Sequence, residues 1–192
     1  MINDWRQATA GTINIDWLAV EEKLGFALHD NLKDLYSRIL CPGTSKGRVE
    51  GVMEFNPLVF VKENINRESW LEGANGESEY AQFELFPLKQ ADKDYVCSFL
   101  EEAFSGDWTG GNDFGHRAYI GELLINIGQI TLIFNNDTGR FEWVDFGYGY
   151  FEVYEENPYG IVADTVQEFL DKFIVDEEAM AALAELYDEE DE

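Results

Sequence analysis

A chain of 192 residues with 39 Asp and Glu against 13 Lys and Arg carries a formal net charge of −26. That imbalance repels phosphate backbones and anionic bilayers, which argues against nucleic-acid and membrane partners. With 45% hydrophobic and 15% aromatic residues, the composition is that of a globular chain long enough to bury a core without disulfide staples.

The two cysteines, Cys41 and Cys97, are too few for a disulfide framework and fit a reducing cytoplasm. The opening MINDWRQATAGTINID shows no basic segment followed by an apolar one, so no secretory leader is expected. Purely apolar runs are as short as Leu58-Val59-Phe60-Val61, too short to span a bilayer.

In chain order, Asn14 or Asp16 is placed to cap a first helix. In it Trp17, Leu18, Val20 and Leu24 recur near helical spacing, and Gly25 closes it. Asp30 opens a second helix, with His29 at its entry and expected to be exposed. Leu32, Leu35, Tyr36, Ile39 and Leu40 form its apolar stripe, and Cys41-Pro42-Gly43 stops it. Strands are predicted at 48–55, 58–63 and 79–86, the last two separated by the polar stretch ENINRESWLEGANGES.

A third helix fits 91–105, where Tyr95, Val96, Phe99, Leu100, Ala103 and Phe104 share a face, Cys97 falls at a core position and Gly106 follows. The glycine-rich GDWTGGNDFG then leads to strands at 117–125, 129–135 and 140–146, with a further one through 148–154. Helix is predicted over 164–175, with Asp164 and Gln167 at capping-box spacing and Val166, Phe169, Leu170 and Phe173 as its apolar stripe. A last acidic helix over 176–187 ends in a charged tail. Short connections favour antiparallel pairing, so the expected fold is α+β: a central, mainly antiparallel sheet with helices packed against it. The domain is expected over 1–175, with 176–192 as an acidic appendage.

Asp137-Thr138-Gly139 spells the signature of an aspartic protease, which needs two such carboxylates sharing a proton. No second copy exists in the chain. The flanking strands and the Asn135-Asn136 lead-in suit a tight hairpin instead, because Asn, Asp and Gly tolerate left-handed backbone. An Asp137-dependent hydrolase stays as the enzymatic alternative. A thiol enzyme would have to pair Cys41 or Cys97 with His29 or His116, and sequence proximity shows no such pairing. Neither histidine lies in a zinc-ligand pattern, and the 135–139 stretch misplaces the calcium-loop glycine. No cofactor and no metal are expected.

Two stretches suit a protein-binding surface. In GDWTGGNDFGHR, Asp107 and Asp113 disfavour phosphate, whereas Trp108 and Phe114 could rim a contact. In FGYGYFEVYEENPYG, Tyr148, Tyr150 and Tyr154 sit among Glu152, Glu155 and Glu156, with Glu142 and Asp145 on the strand that leads in. Tyrosines anchor and carboxylates steer when a surface grips a basic protein. Packing of some of these rings in a core is the competing reading.

The segment VEEKLGFALHDNLKDLYSRI, together with IGELLINIGQITLIFNNDTGRFEWVDFG and ADTVQEFLDKFI, resembles the SMI1/KNR4 (SUKH) superfamily. The shared features are an opening helix pair, an Asn-x-x-Thr-Gly hairpin and a closing helix, over roughly residues 14–40 and 118–175. His29-Asp30 stands where that family commonly has Pro followed by an acid. The resemblance implies an α+β fold with a mainly antiparallel sheet. It also implies a bacterial immunity protein that blocks a cognate toxin, commonly a nuclease or deaminase, in the cytoplasm, with no catalytic residues to carry over. The expected partner is thus a basic toxin protein of a toxin–immunity or contact-dependent inhibition system, bound by a monomer or weak dimer. A regulatory or scaffold module without a toxin partner is the alternative of a different class.

Overall fold

In the computed structural model of the chain, the described residues are 14–39, 49–54, 80–109, 113–125, 128–144 and 159–174. Helix α1, Trp17–Leu24, begins where the Asp16 carboxylate accepts the Ala19 N–H at 3.1 Å, and Gly25 at φ 80° closes it. The Asp16 carboxylate satisfies one of the first-turn donors that a helix leaves open. Helix α2, Asp30–Arg38, follows after a short turn. Helix α3, Lys93–Ala103, is capped by Asp92, which accepts from the Asp94 and Tyr95 amides. A short 3-10 turn, Asp107–Thr109, comes next, and α4 is Val166–Asp171.

The strands are β1 Val49–Glu54, β2 Tyr80–Leu85, β3 Arg117–Ile125, β4 Gly128–Asn135, β5 Arg140–Val144, β6 Tyr159–Ala163 and β7 Phe173–Ile174. They form one seven-stranded sheet in the order β6-β5-β4-β3-β2-β1-β7, and every neighbouring pair is antiparallel. The fold is α+β with a central antiparallel sheet, as the element order implies.

One face of the sheet builds the core. Strand pairing aligns Phe83 with Leu123, Leu123 with Ile130, Leu132 with Trp143, and Phe134 with Phe141. These side chains are buried together with Leu32 and Leu35 of α2, Val96 and Leu100 of α3, and Phe169 of α4. Rings run across it in sequence: Phe134 on Phe141 at 5.2 Å, Phe141 on Phe169 at 4.3 Å, Phe169 on Phe173 at 5.1 Å, and Phe173 on Phe83 at 4.2 Å. Such pairs contribute about 0.5–1.5 kcal/mol each beyond their buried area. Cys97 is buried as expected, its thiol 3.8 Å from the Val20 carbonyl oxygen, which ties α3 to α1.

Three expectations are corrected. Leu18 points outward at 69% exposure rather than joining the α1 stripe. The closing helix ends at Asp171, not 175, because Phe173 leaves it to pair with Met53 of β1. Its cap is Thr165, whose hydroxyl accepts the Glu168 N–H at 3.1 Å, while the Glu168 carboxylate accepts the Asp164 N–H at 2.9 Å. The capping side chains are therefore Thr165 and Glu168, the latter reaching back to the Asp164 amide, rather than Asp164 and Gln167. The strand before this helix is β6, Tyr159–Ala163, for which the sequence analysis assigns no element. The predictions for 58–63, the polar stretch to 78, Cys41-Pro42-Gly43, the strand through 148–154, and the helix and tail over 176–192 lie outside the described residues. Among the described residues, no helix is long and apolar enough to cross a membrane.

Candidate functional site

The Asp-Thr-Gly tripeptide is a corner. Asn135 pairs with Arg140, and Asn136-Asp137-Thr138-Gly139 turn between them. The Asn135 side-chain oxygen accepts the Asp137 and Thr138 amides at 3.1 and 3.2 Å, and Gly139 N–H donates to the Asn135 carbonyl at 2.8 Å. Gly139 adopts φ 75°, the left-handed backbone that glycine tolerates best. The Asp137 side chain is 69% exposed and faces the His116 imidazole, its Oδ1 3.5 Å from Nδ1.

The second asparagine fastens this turn to the helix pair. Asn136 Oδ1 accepts the His29 backbone N–H at 2.9 Å, and its Nδ2 donates to the Ala27 carbonyl at 2.9 Å. Asn31 of α2 donates through Nδ2 to the Gly139 carbonyl at 2.7 Å and to the Asp164 carbonyl at 3.0 Å. The expectation of an exposed His29 is corrected: its ring lies half-buried against Gly139, in the space a side chain there would fill. His29 is also the cap of α2, with Nδ1 accepting the Asn31 N–H at 3.2 Å. Phe26 and Phe104 flank His116 at 4.5 and 5.0 Å.

Glu142 does not belong to an exposed contact surface. Strand alternation turns it away from Phe141 and Trp143, yet it is only 3% exposed. Arg117 Nε donates to its Oε2 at 2.6 Å and Asn135 Nδ2 to its Oε1 at 2.9 Å. A buried carboxylate needs such partners. Here the same Asn135 that organises the turn also holds Glu142.

Asp107, Trp108, Asp113 and Phe114 do come together. Trp108 is half-buried: its indole N–H donates to the Ala103 carbonyl at 3.1 Å, and its ring packs 5.9 Å from Phe114 and 6.1 Å from Tyr119. That ring pairing brings the exposed Asp107 and Asp113 to one corner. Glu101 and Glu102, not singled out from the sequence, stand exposed in the last turn of α3. No basic residue stands in the last turn of α3, so these carboxylates oppose the helix dipole. That charge pattern was the available signal. The next arginine, Arg117, is turned inward, donating to the Phe114 carbonyl and to Glu142. The expected contacts Asp145, Tyr148, Tyr150, Glu152, Tyr154, Glu155 and Glu156 lie outside the described residues.

Elsewhere, many cations are matched locally. Lys23 pairs with Asp94 at 2.9 Å, Lys33 with Asp30 at 2.9 Å, Arg38 with Asp34 at 2.8 Å and Arg140 with Asp164 at 2.7 Å. A hydrogen bond from Lys33 holds the Asp30 carboxyl below its ordinary range, and one from Lys23 does the same for Asp94. Burial pushes the Cys97 thiol up, away from the reactive thiolate. Among the described residues, no three His, Cys, Asp or Glu side chains are placed to hold a metal ion.

The chain matches no protein-family model, and neither curated proteins nor solved structures give a match.

Proposed function

We propose that the chain is an immunity-type inhibitor that binds a basic toxin domain of bacterial origin in the cytoplasm and occludes it by shape and charge. The observation that carries this reading is the acidic and aromatic ledge at the end of α3. Asp107 and Asp113 stand exposed beside the rings of Trp108 and Phe114, and Glu101 and Glu102 lie exposed in the last turn of α3. Acids at a helix C-terminus cost about 0.3–1 kcal/mol each in stability, a cost that a steering role offsets. Aromatic anchors beside carboxylates are the residue types that grip a cationic protein.

The elements on which the resemblance to the SMI1/KNR4 superfamily rests lie against one another. The helix pair, the Asn-x-x-Thr-Gly hairpin and the approach to the closing helix meet through Asn31, Asn136, Gly139 and Asp164. The elements that carry the resemblance are thus joined by specific hydrogen bonds.

The experiment is reconstitution with the protein encoded by the neighbouring gene. A stoichiometric complex and loss of that protein's toxic activity are expected. A purified neighbouring toxin whose activity is unchanged by excess of this chain contradicts the proposal.

A further inference from the structure

Both described histidines sit at the junction of the helix pair and the hairpin, and each has a polar neighbour at Nδ1. For His29 the donor is the Asn31 backbone N–H at 3.2 Å, and a backbone amide has no choice of role. For His116 the neighbour is Asn136 Nδ2 at 3.2 Å. The orientation of Asn136 is fixed because its oxygen already accepts the His29 N–H and its nitrogen already donates to Ala27. Its remaining amide proton points at His116. In the His29 ring the proton therefore resides on Nε2, whereas His116 Nδ1 lies between Asn136 Nδ2 at 3.2 Å and Asp137 Oδ1 at 3.5 Å, so its role follows the tautomer.

We propose that His29, with His116 beside it, forms a proton-sensitive latch that seats α2 on the β4–β5 hairpin at neutral pH and loosens it in acid. A proton on His29 Nδ1 removes the acceptor that caps α2. It also places a positive charge at a helix N-terminus, where the dipole opposes it. A proton on His116 Nδ1 sets donor against donor with Asn136. There the ring has a second acceptor, Asp137 Oδ1 at 3.5 Å, so His116 exchanges one hairpin partner for another. The charged groups around the latch are Asp30 on α2, Asp137 and Arg140 on the hairpin, and Asp164 before α4, the last two paired at 2.7 Å. Asp30 is already held by Lys33 at 2.9 Å. The two rings respond differently: His116 is retained through Asp137, and the cap made by His29 is lost.

The test is amide hydrogen exchange at about pH 7.5 and about pH 5.5, spanning the imidazole range and corrected for intrinsic rates. Protection of the Asn31 amide is expected to fall about five- to ten-fold on acidification, in line with the loss of one helix cap. The Ala19 amide, whose acceptor is the Asp16 carboxylate, serves as internal control and keeps its protection. In His29→Asn, where a non-titrating acceptor replaces the ring, Asn31 protection is expected to be flat. Should that variant not fold, imidazole nitrogen spectra of the wild-type chain at neutral pH carry the test. They are expected to show the His29 ring with an unprotonated Nδ1. An Nδ1–H tautomer on His29, an unchanged Asn31 amide, or an equal fall at Asn31 and Ala19 overturns the latch.

Discussion

The ring of His29 occupies the volume that a side chain at Gly139 would need. This contact joins the Asn136 and Asn31 hydrogen bonds in seating the entry of α2 on the tip of the β4–β5 hairpin. Residue 139 is held to glycine twice over, by its φ of 75° and by the imidazole against it. Gly139→Ala is expected to destabilise the chain by about 2–4 kcal/mol, the sum of backbone strain and a displaced ring. Asp137→Asn, at the exposed tip of the same turn, is expected to change stability by about 0.5 kcal/mol or less. Urea unfolding of both variants checks the contrast, and equal effects would contradict this account of the turn.

Asn136→Asp keeps the acceptor for the His29 N–H but turns the donor to Ala27 into a second oxygen facing a carbonyl. A loss of about 1–3 kcal/mol is expected at neutral pH. Denaturant midpoints measure it, and a neutral outcome would show that Asn136 is not the fastener of the helix pair.

Phe169 stacks on Phe141 and meets Phe173 edge-on in the row of core rings. Phe169→Ala is expected to cost about 3–5 kcal/mol, more than any surface substitution in α4. Thermal unfolding of Phe169→Ala beside Gln167→Ala, an exposed neighbour, reads the difference.

Tyr36 is 2% exposed, and its hydroxyl has no hydrogen-bond partner among the described residues. Burial raises its ionisation well above the ordinary tyrosine range. The folded chain therefore keeps this proton where the unfolded chain releases it. Stability from this group is complete below the unfolded value of about 10 and declines as pH rises past it. Tyr36→Phe is expected to leave neutral-pH stability unchanged or raise it by about 1 kcal/mol, and to flatten the alkaline decline. Unfolding curves from neutral to alkaline pH check both parts.

Much of this architecture was legible in local residue chemistry. Asp16 and Gly25 bound α1 as capping rules dictate, and Asn135-Asn136-Asp137-Thr138-Gly139 read as a turn because its residues satisfy their own backbone. The misses share a non-local cause. Phe173 stands four residues after Phe169, so periodicity alone kept the helix running. Pairing with Met53, far earlier in the chain, drew it into β7. Glu142 alternates with Phe141 and Trp143, which implies a solvated side. Arg117 and Asn135, brought alongside by strand pairing, make that side internal. The role of His29 depended on Gly139 arriving beneath it, which no local window reveals. Of the surface proposed for a partner, Asp107, Trp108 and Asp113 were readable from composition. Glu101 and Glu102 required noticing acids at the wrong end of a helix.

If the ledge steers a cationic protein, association should slow steeply as ionic strength rises while dissociation changes little. Stopped-flow binding to the neighbouring toxin from low to high salt measures this, and a flat association rate would contradict steering.

The central claim is that the ledge around Trp108 is where a basic protein docks. Its most direct measurement is calorimetric titration of the neighbouring toxin with wild-type chain and with Asp107→Lys/Asp113→Lys, two exposed sites whose reversal leaves the core intact. The account predicts a loss of affinity of about a hundred-fold or more with unfolding stability within about 0.5 kcal/mol of wild type. Unchanged affinity in a folded double variant would contradict it.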